Sequence, residues 1–332
     1  MFCSSIFRFG SSAVIAAGLM LTMPAHAAEN GWHHRDVAIM GTAIRVEVWQ
    51  ENDRLAKQAI DAVLDEMHHV DELMSPFRPE SELSRVNREA ADGPVHVSPE
   101  LAQLIQRALR VSELTDGAFD ITFASVGYMY DYRAHKHPSE QAIEQALPAI
   151  SYRHVKVDLA ASTVAFSVKG VRIDLGGIAK GYAVEQSAAI LRRMGIRHGF
   201  ISAGGDTRVI GDRRGRPWLI GIRHPRNEHA VVTRLPLQDE AVSTSGDYER
   251  YFDEDGIRYH HIIDPTTGDS ARSVLSVTII GPDATMTDAL STSLFVLGPK
   301  RGIALINRMS KYEAVVVDRY GELHYSDGLV PR

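Results

Sequence analysis

Apolar positions recur at steps of three and four over residues 53–74, where Leu55, Ala59, Val63, Met67, Val70 and Met74 form one stripe. That spacing predicts a long amphipathic helix. Ser75-Pro76-Phe77-Arg78-Pro79-Glu80 ends it with two prolines. A second helix is announced by Ser98-Pro99-Glu100, a cap followed by a first-turn proline and an acid. Its core face is Leu101, Leu104, Ile105 and Ala108, with Gly117 beyond its end. Residues 131–148 are polar and hold a short helical pattern, and residues 178–194 hold a longer one closed by Gly195.

Alternating, β-rich runs fill much of the rest. Residues 37–49 read as a strand or hairpin, and 155–158, 164–168 and 170–173 as short strands. Further strands are expected at 199–202, 207–210, 218–223 and 274–280. Residues 247–252 and 257–263 suggest a hairpin around Asp255-Gly256. Two helical patterns, 284–297 and 300–309, precede a last hairpin, 314–325, turning at Tyr320-Gly321. Helices and strands mix without regular βαβ alternation, and no Pro/Gly/Ser linker divides the chain. The expected fold is α+β, with mixed, largely antiparallel sheets and flanking helices. It is read as one compact domain, with two lobes allowed.

The N-terminus departs from this pattern. Arg8 precedes an apolar run over residues 13–23, Pro24 breaks it, and Ala25-His26-Ala27 is an A-x-A cleavage site. The run is short for a membrane span. Residues 1–27 are therefore expected to be a cleaved signal peptide, residues 28–332 the working domain, and the compartment the periplasm. The single cysteine, Cys3, lies in that leader. The exported domain would have no disulfide, thiolate metal site or cysteine nucleophile. A net charge of −6 without a basic tract argues against nucleic acid as a partner.

Several common chemistries are absent as motifs. The chain has no G-x-G-x-x-G after a strand, no Walker loop, no H-E-x-x-H and no G-x-S-x-G. The histidine pairs His33-His34 and His68-His69 are adjacent, so their rings point apart and read as surface.

What remains is a set of polar clusters. Asp174-Leu175-Gly176-Gly177-Ile178-Ala179-Lys180-Gly181 puts an acid, a glycine turn and a lysine at a helix start. Free N–H groups and the helix dipole there favour a phosphate; a Gly-rich turn with an acidic cap is the plainer reading. Asp288 and Thr292, four apart on an expected helix, share one face and offer hard oxygen donors suited to Mg²⁺. Capping and back-bonding to the helix would also account for them.

Taken in order, the clusters resemble the FAD:protein FMN transferase family, also called ApbE. They are Met40-Gly41-Thr42, the run from Ser75 to Ser84, Asp116-Gly117-Ala118-Phe119-Asp120-Ile121-Thr122, the Asp174 stretch, Gly204-Gly205-Asp206, Ser245-Gly246-Asp247-Tyr248-Glu249-Arg250, His260-His261-Ile262-Ile263-Asp264-Pro265 and Asp288-Ala289-Leu290-Ser291-Thr292. The resemblance covers nearly all of residues 28–332.

It implies that FMN is transferred from FAD to a threonine of a target flavoprotein through a phosphoester, with AMP leaving. Mg²⁺ would be held by Asp288, Thr292 and the carbonyl of Gly177. Ser291 is a further candidate ligand, standing where some members have a second Asp. Met40, Phe77, Ala118, Phe119, Asp120, Asp174, Lys180 and Ile262 would line the FAD site, with Phe77 replacing a common tyrosine. His261 is the candidate general base, chosen because an ordinary imidazole titrates near neutral pH. The acceptor would be an exported or membrane-complex flavoprotein with a Ser/Thr-x-Ala-Thr-like segment. The same residues are compatible with an FAD pyrophosphatase or a non-catalytic FAD carrier. One departure stands out: residues 124–132, rich in tyrosine, replace a Pro-Leu-Val-x-Leu-Trp-Gly-Phe run. They imply either a different acceptor surface or a different core. The metal assignment also carries a condition, that the Asp174 stretch meets the helix face of Asp288 and Thr292.

Overall fold

The computed structural model describes residues 31–330, apart from the side chain of residue 228. The expected leader, residues 1–27, lies outside the described residues. In chain order the elements are β1 (Trp32–Ile39), β2 (Thr42–Trp49), α1 (Asp53–Met74), α2 (Glu82–Glu89), β3 (Val95–His96), α3 (Pro99–Leu114), α4 (Ala124–Gly127), α5 (Glu140–Ala146), β4 (Val155–Asp158) and β5 (Thr163–Phe166). They continue with α6 (Ala179–Arg193), β6 (Gly199–Ala203), β7 (Asp206–Ile210), β8 (Trp218–His224), β9 (Asn227–Leu237), β10 (Ala241–Gly246), β11 (Tyr251–Glu254), β12 (Ile257–His260), β13 (Val274–Gly281), α7 (Ala284–Ile306), β14 (Glu313–Asp318) and β15 (Leu323–Tyr325).

An eight-stranded sheet in the order β1-β2-β6-β7-β10-β13-β14-β15 is the frame, with three small sheets beside it. Every strand pair among the described residues is antiparallel. The fold is α+β, as the mixed pattern implies. Helices α1, α6 and α7 pack on this sheet and on one another. The α1 stripe is buried as expected from Ala59 to Met74, but Ala56 rather than Leu55 begins it. Helix α7 is apolar and long enough to cross a bilayer, yet more than half of its apolar stretch is buried within the protein, and it serves as a core helix. Gly298, at φ 76°, breaks it before Pro299, where the sequence shows two separate helical patterns.

Some expectations fail for identifiable reasons. Residues 170–173 are extended but form no strand. The Asn87 side chain takes both backbone groups of Ile173 at 2.8 and 2.9 Å, and Ser125 Oγ accepts from Arg172 N at 3.0 Å. Side chains thus satisfy the backbone that a ladder would otherwise use. The expected strand at 247–252 begins only at Tyr251, and its partner stops at His260. A bidentate ion pair from Arg226, at 2.7 and 2.6 Å, holds Asp247 in the turn instead.

Helix α2 and strands β9 and β10 went unread. Strand β10 is central yet polar, Ala-Val-Ser-Thr-Ser-Gly. Its hydroxyls pair on both faces: Ser243 with Thr287 at 2.8 Å, Thr244 with Thr278 at 2.8 Å, and Ser245 with Ser291 at 2.7 Å. A strand buried through hydroxyl pairs carries no apolar signal.

Candidate active site

The turns at one end of the large sheet converge with the starts of two helices. Met40 and Gly41, at φ 55° and 69°, close the β1–β2 hairpin in two residues. Gly204 N donates to Ala43 O at 2.9 Å, and Thr244 N to Gly205 O at 3.0 Å, so the β6–β7 turn lies between that hairpin and β10.

Helix α6 starts beside this turn without a side-chain cap, because Ile178 occupies its N-cap position. Its free Gly181 N–H finds an acceptor on α7 instead, Asp288 Oδ2 at 2.9 Å. The helices approach so closely that a Cβ on residue 181 would lie 2.2 Å from Ala284 O and 2.6 Å from Asp288 Cβ. Glu185 of α6 also accepts from Ala284 N at 2.8 Å, which fixes the first turn of α7 against α6.

This crossing satisfies the condition set by the sequence. A Cβ on Gly177 would lie 3.2 Å from Thr292 Oγ1 and 3.2 Å from the Phe119 ring. Lys180 Nζ lies 2.8 Å from Asp206 Oδ2 and 3.5 Å from Asp288 Oδ1. The Asp206 and Asp288 side chains are only 3% and 4% exposed. Burial opposes the charge on Lys180, but the two carboxylates outweigh it and hold its pKa above the ordinary value. Burial and then the neighbouring Asp206 charge push Asp288 up, with Lys180 pulling back. Two buried carboxylates share one ammonium, and a second full negative charge is disfavoured there, as the raised pKa of Asp288 reflects. The groups that meet at Gly177, the Asp288 carboxylate and the Thr292 hydroxyl (3.4 Å from Ser245 Oγ), present oxygen donors. That donor set fits a hard divalent cation.

The other expected residues divide into two groups. Asp174, pushed up by burial, accepts from Gly176 N at 2.6 Å and feels the charges of Arg250 and Lys180, so it belongs to the cluster. His261 donates its backbone N–H to Arg250 O at 3.2 Å, and its Nδ1 is enclosed without a partner. Phe77 stands 80% exposed on the loop after α1.

Four others are turned largely into packing. Asp120 spends both carboxylate oxygens on Thr122 and on Tyr152 N, at 2.6 to 2.8 Å. Ser291 Oγ already bonds Asp288 O at 2.8 Å and Ser245 Oγ at 2.7 Å. Ala118 and Ile262 are 9% and 5% exposed.

Contrary to the expectation from residue type, the His261 imidazole does not titrate near neutral pH. Burial, then the charges of His260, Arg250 and Lys180, lower its pKa to about 3, far from neutrality. The ring is therefore neutral at physiological pH rather than half-protonated.

Asp206, Gly181, Ser245 and Arg250 join the site without being marked individually by the sequence pattern. Each sits at the edge of a quoted cluster. Glycine inside a predicted helix was the available signal for Gly181, since it costs helix stability unless close approach requires it. A cavity of about 630 Å³ between α3, α6 and α7 is lined by none of the expected residues.

Comparison with known proteins identifies the family. The ApbE family profile matches residues 40–316. A FAD:protein FMN transferase of Vibrio cholerae is 32% identical over 283 residues, covering 82% of this chain and 83% of that one. One from Haemophilus influenzae is 30% identical over 325 residues, covering 92% and 93%. The crystal structure of an ApbE protein from Thermotoga maritima superimposes with a TM-score of 0.83 at 37% identity, over 90% of this chain and 97% of that one. The flavin transferase ApbE of Vibrio cholerae gives 0.78 at 30% identity, over 89% and 97%. With a matching profile over most of its length and relatives at least 30% identical over more than four fifths of it, this chain belongs to the ApbE family.

Proposed function

We propose that this chain is a periplasmic, Mg²⁺-dependent FAD:protein FMN transferase that esterifies a threonine of an exported flavoprotein and releases AMP. The observation that carries the reading is the meeting of Gly177 and Lys180 with Asp288 and Thr292 at the α6–α7 crossing. Relatives named FAD:protein FMN transferase support the donor and the group transferred.

The residues divide the work as follows. Asp288, Thr292 and the Gly177 carbonyl would hold Mg²⁺, which when bound neutralises pyrophosphate charge. Lys180 and the start of α6 supply fixed positive potential for the phosphates. Phe77 offers a ring face for stacking on an FAD ring, and half-buried Met40 offers apolar surface, while Phe119, only 3% exposed, backs Gly177 from the core. His261 takes the proton of the threonine hydroxyl as its oxygen bonds to the FMN phosphorus. The bond from that phosphorus to the AMP oxygen breaks, and AMP leaves with the electron pair. His261 is neutral before the reaction, as a base must be. Phosphate charge placed nearby raises its proton affinity in the complex.

The test mixes the protein, FAD and Mg²⁺ with a flavoprotein domain carrying a Ser/Thr-x-Ala-Thr segment. Transfer appears as fluorescent flavin that stays on the acceptor after denaturation, and EDTA abolishes it. Fast release of free FMN that the acceptor does not divert would sink the reading in favour of a pyrophosphatase.

A further inference from the structure

The tyrosine-rich segment that departs from the family pattern packs beneath the loop that carries His261. Tyr130 OH donates to Gly268 O at 3.0 Å and lies 3.4 Å from Asp269 Oδ1. Tyr132 OH donates to His260 O at 3.3 Å. The two rings are stacked, with centroids 5.9 Å apart and planes 10° from parallel. One stacked pair therefore grips the loop at both ends, just before His261 and at Gly268. Gly268 is itself confined: at φ 71°, a Cβ there would lie 2.7 Å from the Ile143 side chain. Inside the loop Ile263 packs against Val126 and Tyr130. Burial keeps both phenols far above their ordinary pKa, so both stay protonated donors at any physiological pH.

We propose that Tyr130 and Tyr132 are positioning residues for His261, clamping residues 260–268 so that the imidazole is held beside Arg250 and Lys180. Of the two roles the sequence leaves to this segment, acceptor surface or altered core, the hydroxyls favour a third: they point inward to the backbone of a catalytic loop. Ring packing alone would need phenylalanine, not tyrosine. The Tyr130 hydroxyl gives the Gly268 carbonyl a side-chain donor, and the Tyr132 hydroxyl adds a second donor to His260 O, which also accepts from Ser270 Oγ at 2.8 Å. The kinetic arm of this proposal rests on the transferase reading; the exchange arm does not.

The experiment compares Tyr130→Phe, Tyr132→Phe and the double variant with the wild type, well below their melting temperatures and normalised by the fraction that binds FAD. The double variant is expected to lose tenfold or more in kcat, with KM for FAD and for the acceptor domain within twofold. Amide hydrogen exchange of residues 260–268 is expected to accelerate without acceleration in α1. A raised KM for the acceptor at unchanged kcat would overturn the clamp in favour of a docking surface. A lowered Tm with unchanged kcat and unchanged loop exchange would overturn it in favour of simple core packing. If the wild type transfers no flavin, the transferase reading fails separately, and unchanged loop exchange in the double variant then overturns the clamp.

Discussion

Gly181 N donates to Asp288 Oδ2 at 2.9 Å, joining two helices whose contacting residues are 107 positions apart. No side chain fits between them, because a Cβ on residue 181 would meet the Ala284 carbonyl at 2.2 Å. This contact, with Glu185 accepting from Ala284 N at 2.8 Å, holds the expected metal ligands and the phosphate turn in register. Gly181→Ala is expected to push α7 away from α6. Overpacking of this kind costs about 1–3 kcal/mol, more where the obstruction is backbone. Thermal unfolding should show the loss, and metal-dependent activity should fall further than stability does, since Asp288 and Thr292 move together relative to Gly177. A variant with wild-type kcat would show that the register is not needed.

Asp288 makes a pH-dependent prediction. Its folded pKa is raised, by burial first and then by Asp206. The native state therefore holds a proton that the unfolded chain has released above about pH 4. The stabilisation this gives is complete in acid and is lost as pH rises through the raised value. A divalent cation would relieve the same charge. The gain in Tm on adding Mg²⁺ should accordingly be larger at pH 8 than at pH 5. Asp288→Asn should abolish that gain and lower kcat by at least about 10²-fold, the loss of several kcal/mol of charge stabilisation. Equal Mg²⁺ gains at both pH values, or in the Asn variant, would remove Asp288 from the metal site.

The parts of this site that were readable are those in which function coincides with local pattern. Gly177 and Lys180 sit at a turn and helix start, and Asp288 and Thr292 share a face by helical spacing. Their meeting was not readable from spacing alone, because it depends on β6, β7 and β10 lying between α6 and α7 in the chain. Strand β10 was missed because Ser243, Thr244 and Ser245 pay their burial through hydroxyl pairs. The false strand at 170–173 had the right composition but meets Asn87 and Ser125 where a neighbouring strand would be. The low pKa of His261 follows from enclosure by Arg250, Lys180 and His260, none of which is visible from residue type.

His261→Ala is expected to lower kcat by about 10²–10⁴, the usual contribution of a general base, while FAD still binds. A second readout follows from its folded pKa of about 3, below the ordinary 6.5. Between those values the unfolded chain binds a proton that the native ring refuses. The group's contribution to stability is present above about pH 6.5 and is lost as pH falls toward 3. Tm should therefore fall less steeply from pH 6.5 to pH 4 in His261→Ala than in the wild type. Identical slopes would mean that the ring is not enclosed in solution, and wild-type kcat would remove the base role.

Phe77 gives the cleanest separation of binding from folding. Its ring is 80% exposed, so the folded protein gains little from it. The loop backbone around it is tied down by Ser81 N donating to Arg78 O at 3.1 Å and Ser81 Oγ to Ser75 O at 2.7 Å, while the ring itself stays uncovered. An uncovered ring on an anchored loop has its face available to a planar ligand. Aromatic stacking on a nucleic-acid base contributes about 1–3 kcal/mol by alanine substitution, and adenine or flavin offers the same kind of face. Phe77→Ala should thus raise the Kd for FAD by about 5- to 150-fold, with Tm within the scatter of the wild type. Phe77→Tyr should restore binding, because the stacking face survives and the added hydroxyl stays in solvent. Titration of FAD followed by flavin fluorescence decides the matter. An unchanged Kd in Phe77→Ala would place the ring outside the FAD site.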